Sequence, residues 1–350
     1  MICVLGKTPS FGFGDRLGNA TAGHCLALQE FGGPLKGIFA QQSIREMVRT
    51  GRTPVQVLQD SERSLASLGY QGVRGADGDH LKTIRDVDTV MAAGFTFFTI
   101  DPSDYVDDEA NHYSADEVIR RFEALKCKPL WISEYRGEKI ELDIGQPIAL
   151  DELNLMRCAL KYGRAIEHST QLGRYIVEQA EQEEREVEIE LSIDETDQPT
   201  TPLEHWVFAR QLKNAGLPLV SVAPRFFGNF EKGIDFFGDR TQFDQTLVAH
   251  ASVARVLGGY KLSLHSGSDK ISIYESFAKA TRGLFHVKTA GTSYLEALRV
   301  TAVSDPCLFR RIVEYSRCQF EADRVSYHLS NGLLDASQPE ALPDDEQLAR

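Results

Sequence analysis

Acidic side chains alternate along one predicted strand, residues 186–194 (EVEIELSID). Successive side chains of a strand point to opposite faces, so Glu188, Glu190 and Asp194 share one face with Ser192. Carboxylates that face an interior repel one another, and burying them is unfavourable unless a cation or hydrogen bonds compensate. A metal ion is the simplest compensation. The alternative is an edge strand with a solvated acidic face, but a closed barrel has no edge strands.

Imidazoles occur at the ends of other predicted strands. His265 ends the run YKLSLH (260–265), and His80 lies in GADGDHLK (75–82), which we interpret as a loop after a strand. A lone histidine at a strand end is usually a hydrogen-bonded core residue. Two imidazoles that converge with Asp79 or Glu190 would instead form a site suited to Zn, Mn, Fe, Co or Ni rather than to Mg or Ca.

The last predicted strand offers a similar pattern. His286 and Lys288 alternate inward on the run LFHVKT (284–289). The Gly and Ser residues that follow His265 form a turn whose backbone amides could hold an anion. In the loop around His80, Gly75 and Gly78 would permit tight turns of the backbone. In a loop of that kind, adjacent side chains can reach one site.

These side chains need a scaffold that brings strand ends together. Eight short apolar or alternating runs are each followed by a helical pattern: residues 10–13, 35–41, 71–76, 95–101, 186–194, 217–224, 260–265 and 284–289. Strands that alternate with helices indicate parallel βαβ units, and eight units fit an α/β (β/α)8 TIM barrel better than an open doubly wound sheet. Such a barrel carries its active site at the carboxyl ends of the strands.

One insertion interrupts this rhythm between the fourth and fifth strands. Residues 128–144 predict a β-hairpin that turns at residues 136–137, and residues 151–182 predict a long helix. Trp131 and Tyr135 in the hairpin are expected to pack on the barrel or on a second subunit, which makes a homo-oligomer possible. We therefore expect one catalytic barrel domain over residues 1–334, with the insertion at about 128–182, and an acidic flexible tail over 335–350.

Composition argues against two classes of partner. The 350-residue chain has 38 Lys and Arg against 51 Asp and Glu, a formal charge of −13. Nucleic acid and anionic membranes bind basic surfaces, so neither is expected. The six cysteines contain no CxxC pair and are typical of reduced thiols in a cytosolic protein. The N-terminus lacks a signal-peptide pattern and no stretch reaches the ~18 apolar residues of a membrane span, so we expect a cytoplasmic protein.

Three common catalytic and cofactor motifs are missing from the sequence. The segment GFGDRLG (12–18) is not GxGxxG, and no acidic residue stands where a ribose partner would be expected, which argues against a nicotinamide site. No GxSxG and no P-loop pattern occurs, so serine hydrolase and P-loop interpretations have no support.

The chain resembles the tagaturonate/fructuronate epimerase family of hexuronate metabolism in eight ordered blocks over most of residues 10–300. These are SFGFGDRLGNATAGH (10–24), IFAQQSIREMVRTGRTP (38–54), GADGDHLKT (75–83), FFTIDPSDYVD (97–107), EIELSIDETDQPTTPLEH (188–205), APRFFGNFEKGIDFFGD (223–239), GGYKLSLHSGSDK (258–270) and HVKTAGTSYLEALR (286–299). The resemblance implies a metal-dependent barrel isomerase that inverts C4 of a keto-hexuronate.

The resemblance also implies roles for individual residues. Asp79 and Glu190 fall where the acid/base pair is expected, and His80 and His265 fall where metal ligands are expected, with His286 as a further candidate. The cofactor would be a divalent Zn, Mn, Co, Ni or Fe ion. The partner would be a small sugar acid or ketose. The expected substrate-binding residues, several of them cations that could clamp the C6 carboxylate, are Arg16, Gln42, Asp194, Arg225, Lys232, Lys270 and Lys288.

The substrate restricts the mechanism. C4 lies β to the C2 ketone, so the carbonyl does not acidify the C4 proton, and simple enolisation would scramble C3. Retro-aldol cleavage of C3–C4 followed by re-addition to the other face of the aldehyde inverts C4, and direct proton exchange at C4 is the alternative. A metal-dependent aldolase or sugar isomerase would use the same groups, but it would give three-carbon fragments or an aldose. A non-catalytic sugar-acid-binding relative would need neither a base nor a metal.

Overall fold

Eight parallel strands form a closed barrel in the computed structural model, which describes residues 1–145, 147–323 and 332. The strands are β1 (Ser10–Gly14), β2 (Lys36–Ser43), β3 (Arg74–Leu81), β4 (Phe97–Ile100), β7 (Glu188–Ile193), β8 (Leu219–Pro224), β9 (Lys261–Leu264) and β10 (Phe285–Lys288). They follow one another around the barrel in chain order, and β1 closes it by pairing with both β10 and β2. The predicted (β/α)8 fold is confirmed.

Within the residues that the structure describes, twelve α-helices accompany the strands. They are α1 (Thr21–Phe31), α2 (Ile44–Thr50), α3 (Pro54–Ser67), α4 (Ile84–Ala93), α5 (Ala115–Glu123), α6 (Trp131–Tyr135), α7 (Glu152–Gln182), α8 (Pro202–Asn214), α9 (Arg240–Val256), α10 (Ile271–Thr281), α11 (Tyr294–Ser304) and α12 (Pro306–Asp323). No helix in these described ranges is long and apolar enough to cross a membrane.

Local sequence signals explain where several helices begin. The patterns predict one helix over residues 43–68, but the structure has two. Helix α2 ends at Gly51, which adopts φ 65°. Helix α3 begins with Thr53 as its N-cap, in a capping box with Gln56, and Pro54 is its first residue. Thr201 and Glu204 form the same reciprocal box at the start of α8. These boxes satisfy backbone N–H groups that have no partner within the helix.

The apolar core lies between the barrel and its helices, whereas much of the barrel interior is polar. A separate cluster of Leu5, Ile38 and Phe97 closes the amino end of the barrel. At that end the amide of Gly6 donates a hydrogen bond to Glu188. As predicted, Glu188 and Glu190 of β7 both point into the barrel. Glu188 lies at the amino end with Gly6, however, whereas Glu190 is paired with Lys288 nearer the carboxyl end.

Strand β3 runs further than the sequence predicts. The predicted loop from Gly75 to His80 is part of the strand, so the interpretation as a loop is wrong. The pairing with β4 is irregular between Gly78 and Leu81, and His80 has φ 54°. The bend at His80, rather than the two glycines, therefore turns neighbouring side chains toward one site.

The insertion lies between β4 and β7 as predicted, but its hairpin differs. Trp131–Tyr135 form helix α6, and the two-stranded antiparallel pair is β5 (Lys139–Ile140) with β6 (Ile148–Ala149). The predicted hairpin with its turn at residues 136–137 is therefore wrong. Trp131 and Tyr135 lie on one face of a helical turn, and the two paired strands come after them. Tyr135 packs edge-on against Trp206 of α8 at 4.9 Å between ring centroids, so the aromatic pair covers the barrel.

The long predicted helix is α7, and it is anchored to the barrel by a buried ion pair. Lys161 Nζ lies 3.1 Å from Glu204 Oε1 in α8, and both side chains are almost fully buried. The single domain over residues 1–334 stays a prediction, and the tail over 335–350 lies outside the described residues.

Candidate active site

A buried ammonium group compensates the acids inside the barrel. Lys288 Nζ, at the end of β10, lies 2.7 Å from Asp77 Oδ2, 2.7 Å from Asp79 Oδ1 and 3.0 Å from Glu190 Oε1. It also donates to the hydroxyl of Thr99, which in turn donates to Asp77 at 3.0 Å. The acids of β3 and β7 thus share one lysine cation, where the sequence analysis expected a metal ion.

The three acids of this cluster, Asp77, Asp79 and Glu190, have different pKa values. Burial alone would raise the pKa of Asp79, but the charges of His80, Lys288 and His265 outweigh it and hold that pKa well below its usual range. Burial raises the pKa of Asp77 to about 7 against the opposing charge of Lys288. Glu190 has a lowered pKa because Lys288 and His265 outweigh its burial. Of the three acids around Lys288, Asp79 is therefore an ionised carboxylate that also lines the pocket.

Two imidazoles lie between pairs of carboxylates. His265 Nε2 is 2.8 Å from Glu190, and its Nδ1 is 3.0 Å from Asp194. His80 Nδ1 is 3.1 Å from Asp101, and its Nε2 is 3.6 Å from Asp79. The two rings lie 5.4 Å apart between centroids. Each imidazole is thus oriented by one carboxylate on its Nδ1 side and faces another acid on its Nε2 side.

The same carboxylates make both imidazoles basic. Burial lowers the pKa of His265, but Asp194 and Glu190 raise it to about 10. For His80 the charge of Asp79 and the bond to Asp101 overcome burial and raise the pKa to about 9. At neutral pH the pocket therefore presents an imidazolium at His265 beside an ionised carboxylate at Asp79. Such divergent pKa values are typical of an acid and a base assigned to opposite roles.

These groups lie at the floor of a cavity of about 860 Å³ at the carboxyl ends of the strands. That volume is ordinary for a small-molecule site. Asp79, His80, His265 and Lys288 line it, whereas Glu190 lies behind His265 and Lys288 and does not. The predicted substrate-binding residues that also line it are Arg16, Gln42, Asp194, Arg225 and Lys232.

Buried amides extend the polar floor. Gln42 is 4% exposed, and its Oε1 has no hydrogen-bond partner among the described residues. Neighbouring Gln41 donates to the carbonyl of Thr289 at 2.8 Å. This position requires Gly12, because a Cβ there would lie 1.7 Å from Gln41 Oε1. An acceptor without a donor, such as Gln42 Oε1, suits a ligand rich in hydroxyl groups.

Two predicted site residues lie elsewhere. His286 is fully buried inside the barrel, where Nδ1 faces the hydroxyl of Ser10 at 2.9 Å, and burial lowers its pKa to about 3. It does not line the cavity and is not placed as a metal ligand with His80. Lys270 is also fully buried, and its ammonium donates to the carbonyls of Glu231 and Ile234 at 2.8 and 2.6 Å. Lys270 therefore holds the loop after β8 and is not placed to bind substrate.

One group of side chains in the described part of the chain has the spacing of a metal site. Ligand atoms of His80, Asp101 and Glu195 all lie within 4.8 Å of one another. His265 is not in this group. A mixed imidazole and carboxylate donor set fits the transition metals expected from the sequence.

The sequence analysis did not single out Asp77, although it lies in the quoted block around Asp79. Its alternation with Asp79 would have indicated a shared face if the strand had been extended to residue 81. Thr99 was also missed, because a lone threonine in an apolar strand carries no signal of its contact with Lys288.

Together these features define a (β/α)8-barrel enzyme with an acid and a base at one polar pocket. The sequence profile of the tagaturonate epimerase family matches residues 2–350 of the chain. A tagaturonate/fructuronate epimerase from Thermotoga maritima is 44% identical over 341 residues, which cover 97% of this chain and 69% of that protein. The chain therefore belongs to the tagaturonate epimerase family, whose members are carbohydrate epimerases.

Solved structures agree with this membership. A glycerol-complexed crystal structure of a fructuronate-tagaturonate epimerase from Cohnella laeviribosi matches with a TM-score of 0.92 at 38% identity, covering 99% of this chain and 70% of that one. A probable tagatose 6 phosphate kinase from Sinorhizobium meliloti matches with a TM-score of 0.55 at 13% identity, covering 98% of this chain and 85% of that one. The second match concerns the fold alone.

Proposed function

We propose that this protein interconverts D-tagaturonate and D-fructuronate by inverting C4. The observation that carries the proposal is that Asp79, bonded to Lys288, and His265, bonded to Glu190, line the same pocket. Family membership supports the substrate, and the unpaired buried acceptor of Gln42 suits a hydroxylated ligand. A cytoplasmic location and a homo-oligomer stay predictions.

The proposed reaction is retro-aldol cleavage and re-addition. Asp79 accepts the proton of the C4 hydroxyl as the C3–C4 bond breaks, which leaves an enediolate and an aldehyde. The aldehyde turns and the C3–C4 bond re-forms on its other face, after which His265 donates a proton to the C4 alkoxide. The proton on Asp79 then returns to His265. General acid–base groups of this kind typically contribute ~10²–10⁴-fold in rate.

Glu190 acts on this chemistry through its neighbours. Its Oε1 lies 2.8 Å from His265 Nε2 and 3.0 Å from Lys288 Nζ, so it stabilises the imidazolium and helps to hold Lys288 against Asp79. From the sequence, Glu190 was expected to be one of two carboxylates at the reacting atoms. In the proposed reaction His265 takes that position, and Glu190 together with Asp194 keeps the imidazole protonated.

We also propose a divalent metal ion at His80. Its ligands would be His80, Asp101 and Glu195, whose donor atoms all lie within 4.8 Å of one another. Imidazole nitrogens and carboxylate oxygens together suit a divalent transition metal. The bound ion would supply Lewis-acid stabilisation of negative charge on substrate oxygens.

Product analysis in deuterium oxide tests the proposed function. The purified protein is incubated with D-tagaturonate, and D-fructuronate is measured by chromatography and proton NMR. Retro-aldol inversion retains the C4 hydrogen as the aldehyde hydrogen, so the product should carry no deuterium at C4. Deuterium at C4 would replace this mechanism with direct proton exchange. Accumulating three-carbon fragments would indicate an aldolase, and an aldose product would indicate a sugar isomerase.

A further inference from the structure

Arg225 lies at the pocket with its backbone held by two hydrogen bonds, and its guanidinium has no partner among the described residues. Arg225 follows β8 directly, where its amide donates to Thr200 Oγ1 at 2.9 Å and its carbonyl accepts from the Thr200 amide at 2.9 Å. Its half-buried side chain lines the cavity. Its guanidinium forms no hydrogen bond or ion pair with any residue that the structure describes.

The other cationic side chains of the pocket already interact with groups of the chain. Arg16 donates to the carbonyl of Ala290 at 2.8 Å and lies 3.6 Å from Glu46. Lys288 is held by three carboxylates. Lys232 lies in the field of Glu46 and Asp79, and Arg45 lies 3.8 Å from Glu195. Arg225 thus differs from its neighbours in having no counter-ion among the described residues.

The surroundings of Arg225 favour an anion from outside the chain. Ile193 pairs with Pro224, so Arg225 leaves the barrel level with Asp194. A recess of about 40 Å³ is lined by Arg225, Phe226, Phe230 and His265, and by Asp194, whose carboxylate lies 3.0 Å from His265 Nδ1. The aromatic rings exclude water on one side, which strengthens electrostatic attraction to the guanidinium. The planar fork of a guanidinium matches a carboxylate in a bidentate arrangement.

We infer that Arg225 binds the carboxylate of the substrate and thereby selects sugar acids over neutral ketoses. This inference rests on the proposed function, since C6 of a keto-hexuronate is two carbons from the centre that inverts. With His265 lining the same recess, a carboxylate on Arg225 would bring C4 beside the proposed acid. Arg225 is thus a specificity-determining residue, whereas Arg16 and Lys270 hold the loops around it.

The test compares an acidic substrate with its neutral counterpart. In Arg225→Gln, kcat/KM for D-tagaturonate should fall by roughly 10- to 100-fold, mainly through KM, because a charge-assisted bidentate contact is lost. The kcat/KM for D-tagatose should change by less than about threefold, within the usual effect of a substitution that removes no contact. Arg225→Lys, which keeps the charge but not the fork, should lose less. Arg240→Gln is the matched control, because its guanidinium is engaged by Asp244 and the carbonyl of Ser272 outside the pocket.

Binding separates this inference from the proposed function. Calorimetry with D-galacturonate and D-galactose measures the preference for a carboxylate without requiring turnover. Wild-type protein should prefer the acid, and Arg225→Gln should lose that preference while its melting temperature is unchanged. An unaltered preference in both Arg225 variants, or an equal loss for acid and neutral sugar, would overturn the inference. If wild type prefers the acid but does not epimerise tagaturonate, the proposed function fails and the role of Arg225 stands.

Discussion

At the scale of single residues, the structure removes a competing explanation for Asp79. An aspartate at this point of the sequence could cap the following helix, where asparagine would serve equally well. Helix α4 instead begins at Ile84 with Thr83 as its N-cap, whose hydroxyl accepts from the Asp86 amide. Asp79 is bonded to Lys288 and faces the pocket. Its carboxylate is therefore free of a capping role.

Asp79→Asn should keep the fold and lose most of the epimerase activity. An amide cannot accept the C4 hydroxyl proton, so kcat should fall by roughly 10²–10⁴-fold. Steady-state kinetics with tagaturonate measures the loss, and circular dichroism reports the fold. Asp86→Asn serves as the control, because it alters an acid of the same segment outside the pocket. Near wild-type kcat in Asp79→Asn would remove this residue from the mechanism.

His80→Ala should weaken metal binding, and activity should fall as a consequence. Removal of one imidazole leaves only carboxylates in the group with Asp101 and Glu195. Activity should then be restored in part by a high metal concentration, since a weakened site still fills by mass action. Elemental analysis of protein purified without added metal gives the readout. His265→Ala should retain its metal, and the reverse pattern would return His265 to the ligand set.

Lys288→Met should lower the free energy of unfolding. The substitution leaves Asp77, Asp79 and Glu190 buried without their shared cation, and breaking a buried pair by removing one partner costs about 3–5 kcal/mol. Adding Asp77→Asn should recover part of that loss, because one uncompensated acid disappears. Denaturant unfolding of both variants measures the effect. Equal stabilities of Lys288→Met and wild type would contradict this account of the cluster.

Some site residues could be predicted from the sequence and others could not. Asp79, His80 and His265 were predictable as site residues, because each lies at or just after the end of a predicted strand. Lys288 was placed correctly on an inward face, but its acidic partners were not, since they come from β3 and β7, which lie far away in sequence. Asp77 was missed because Gly75 and Gly78 suggest a turn. The strand continues there because the opposite wall of the barrel supplies the cation that its acids need.

At the scale of elements, helix α6 stabilises the barrel from outside the pocket. Tyr135 and Trp131 are each 6% exposed, and the Tyr135 hydroxyl accepts a hydrogen bond from Gln211 at 2.7 Å. The sequence predicted the packing of this aromatic pair but not its secondary structure. Five residues carry too little periodicity to separate a helical turn from a strand, and the contact with α8 decides between them.

Tyr135→Phe should therefore lower stability without changing catalysis. Loss of the hydroxyl removes the bond to Gln211, worth about 1 kcal/mol. Trp131→Ala should cost more, about 3–5 kcal/mol, because it leaves a cavity beneath the helix. Melting temperature and kcat measured on the same samples separate the two effects. A fall in kcat at unchanged stability would show that α6 communicates with the pocket.

At the scale of the whole molecule, the βα rhythm was sufficient to predict the barrel. Most strands are buried on both faces and each connection contains a helix, so the period of the apolar pattern changes repeatedly along the chain. The polar filling of the barrel was less predictable. Inside it, Lys261 donates to Ser10 at 3.1 Å, and Ser10 faces His286. Such layers depend on which strands are neighbours after closure, and a linear pattern does not contain that information.

A second buried histidine pair lies outside the pocket lining, between helices α8 and α9. His205 Nδ1 and His250 Nδ1 are 3.0 Å apart, and the Tyr260 hydroxyl lies 2.8 Å from His205 Nε2. Burial lowers the pKa of His250 to about 4, and that of His205 well below its usual range. Both imidazoles are therefore neutral in the native state, and they link α8, α9 and the start of β9.

This pair should make the fold less stable as the pH falls below about 6.5, the ordinary pKa of an unfolded histidine. Between pH 6.5 and 5 the unfolded chain binds protons at both histidines and the native state does not, so the free energy of unfolding falls with falling pH. His250→Phe should reduce the slope by up to one proton, about 1.4 kcal/mol per pH unit at most. Urea unfolding across this range measures it, with the exposed His112→Gln as control. An unchanged slope in His250→Phe would show that this pair does not govern the pH dependence.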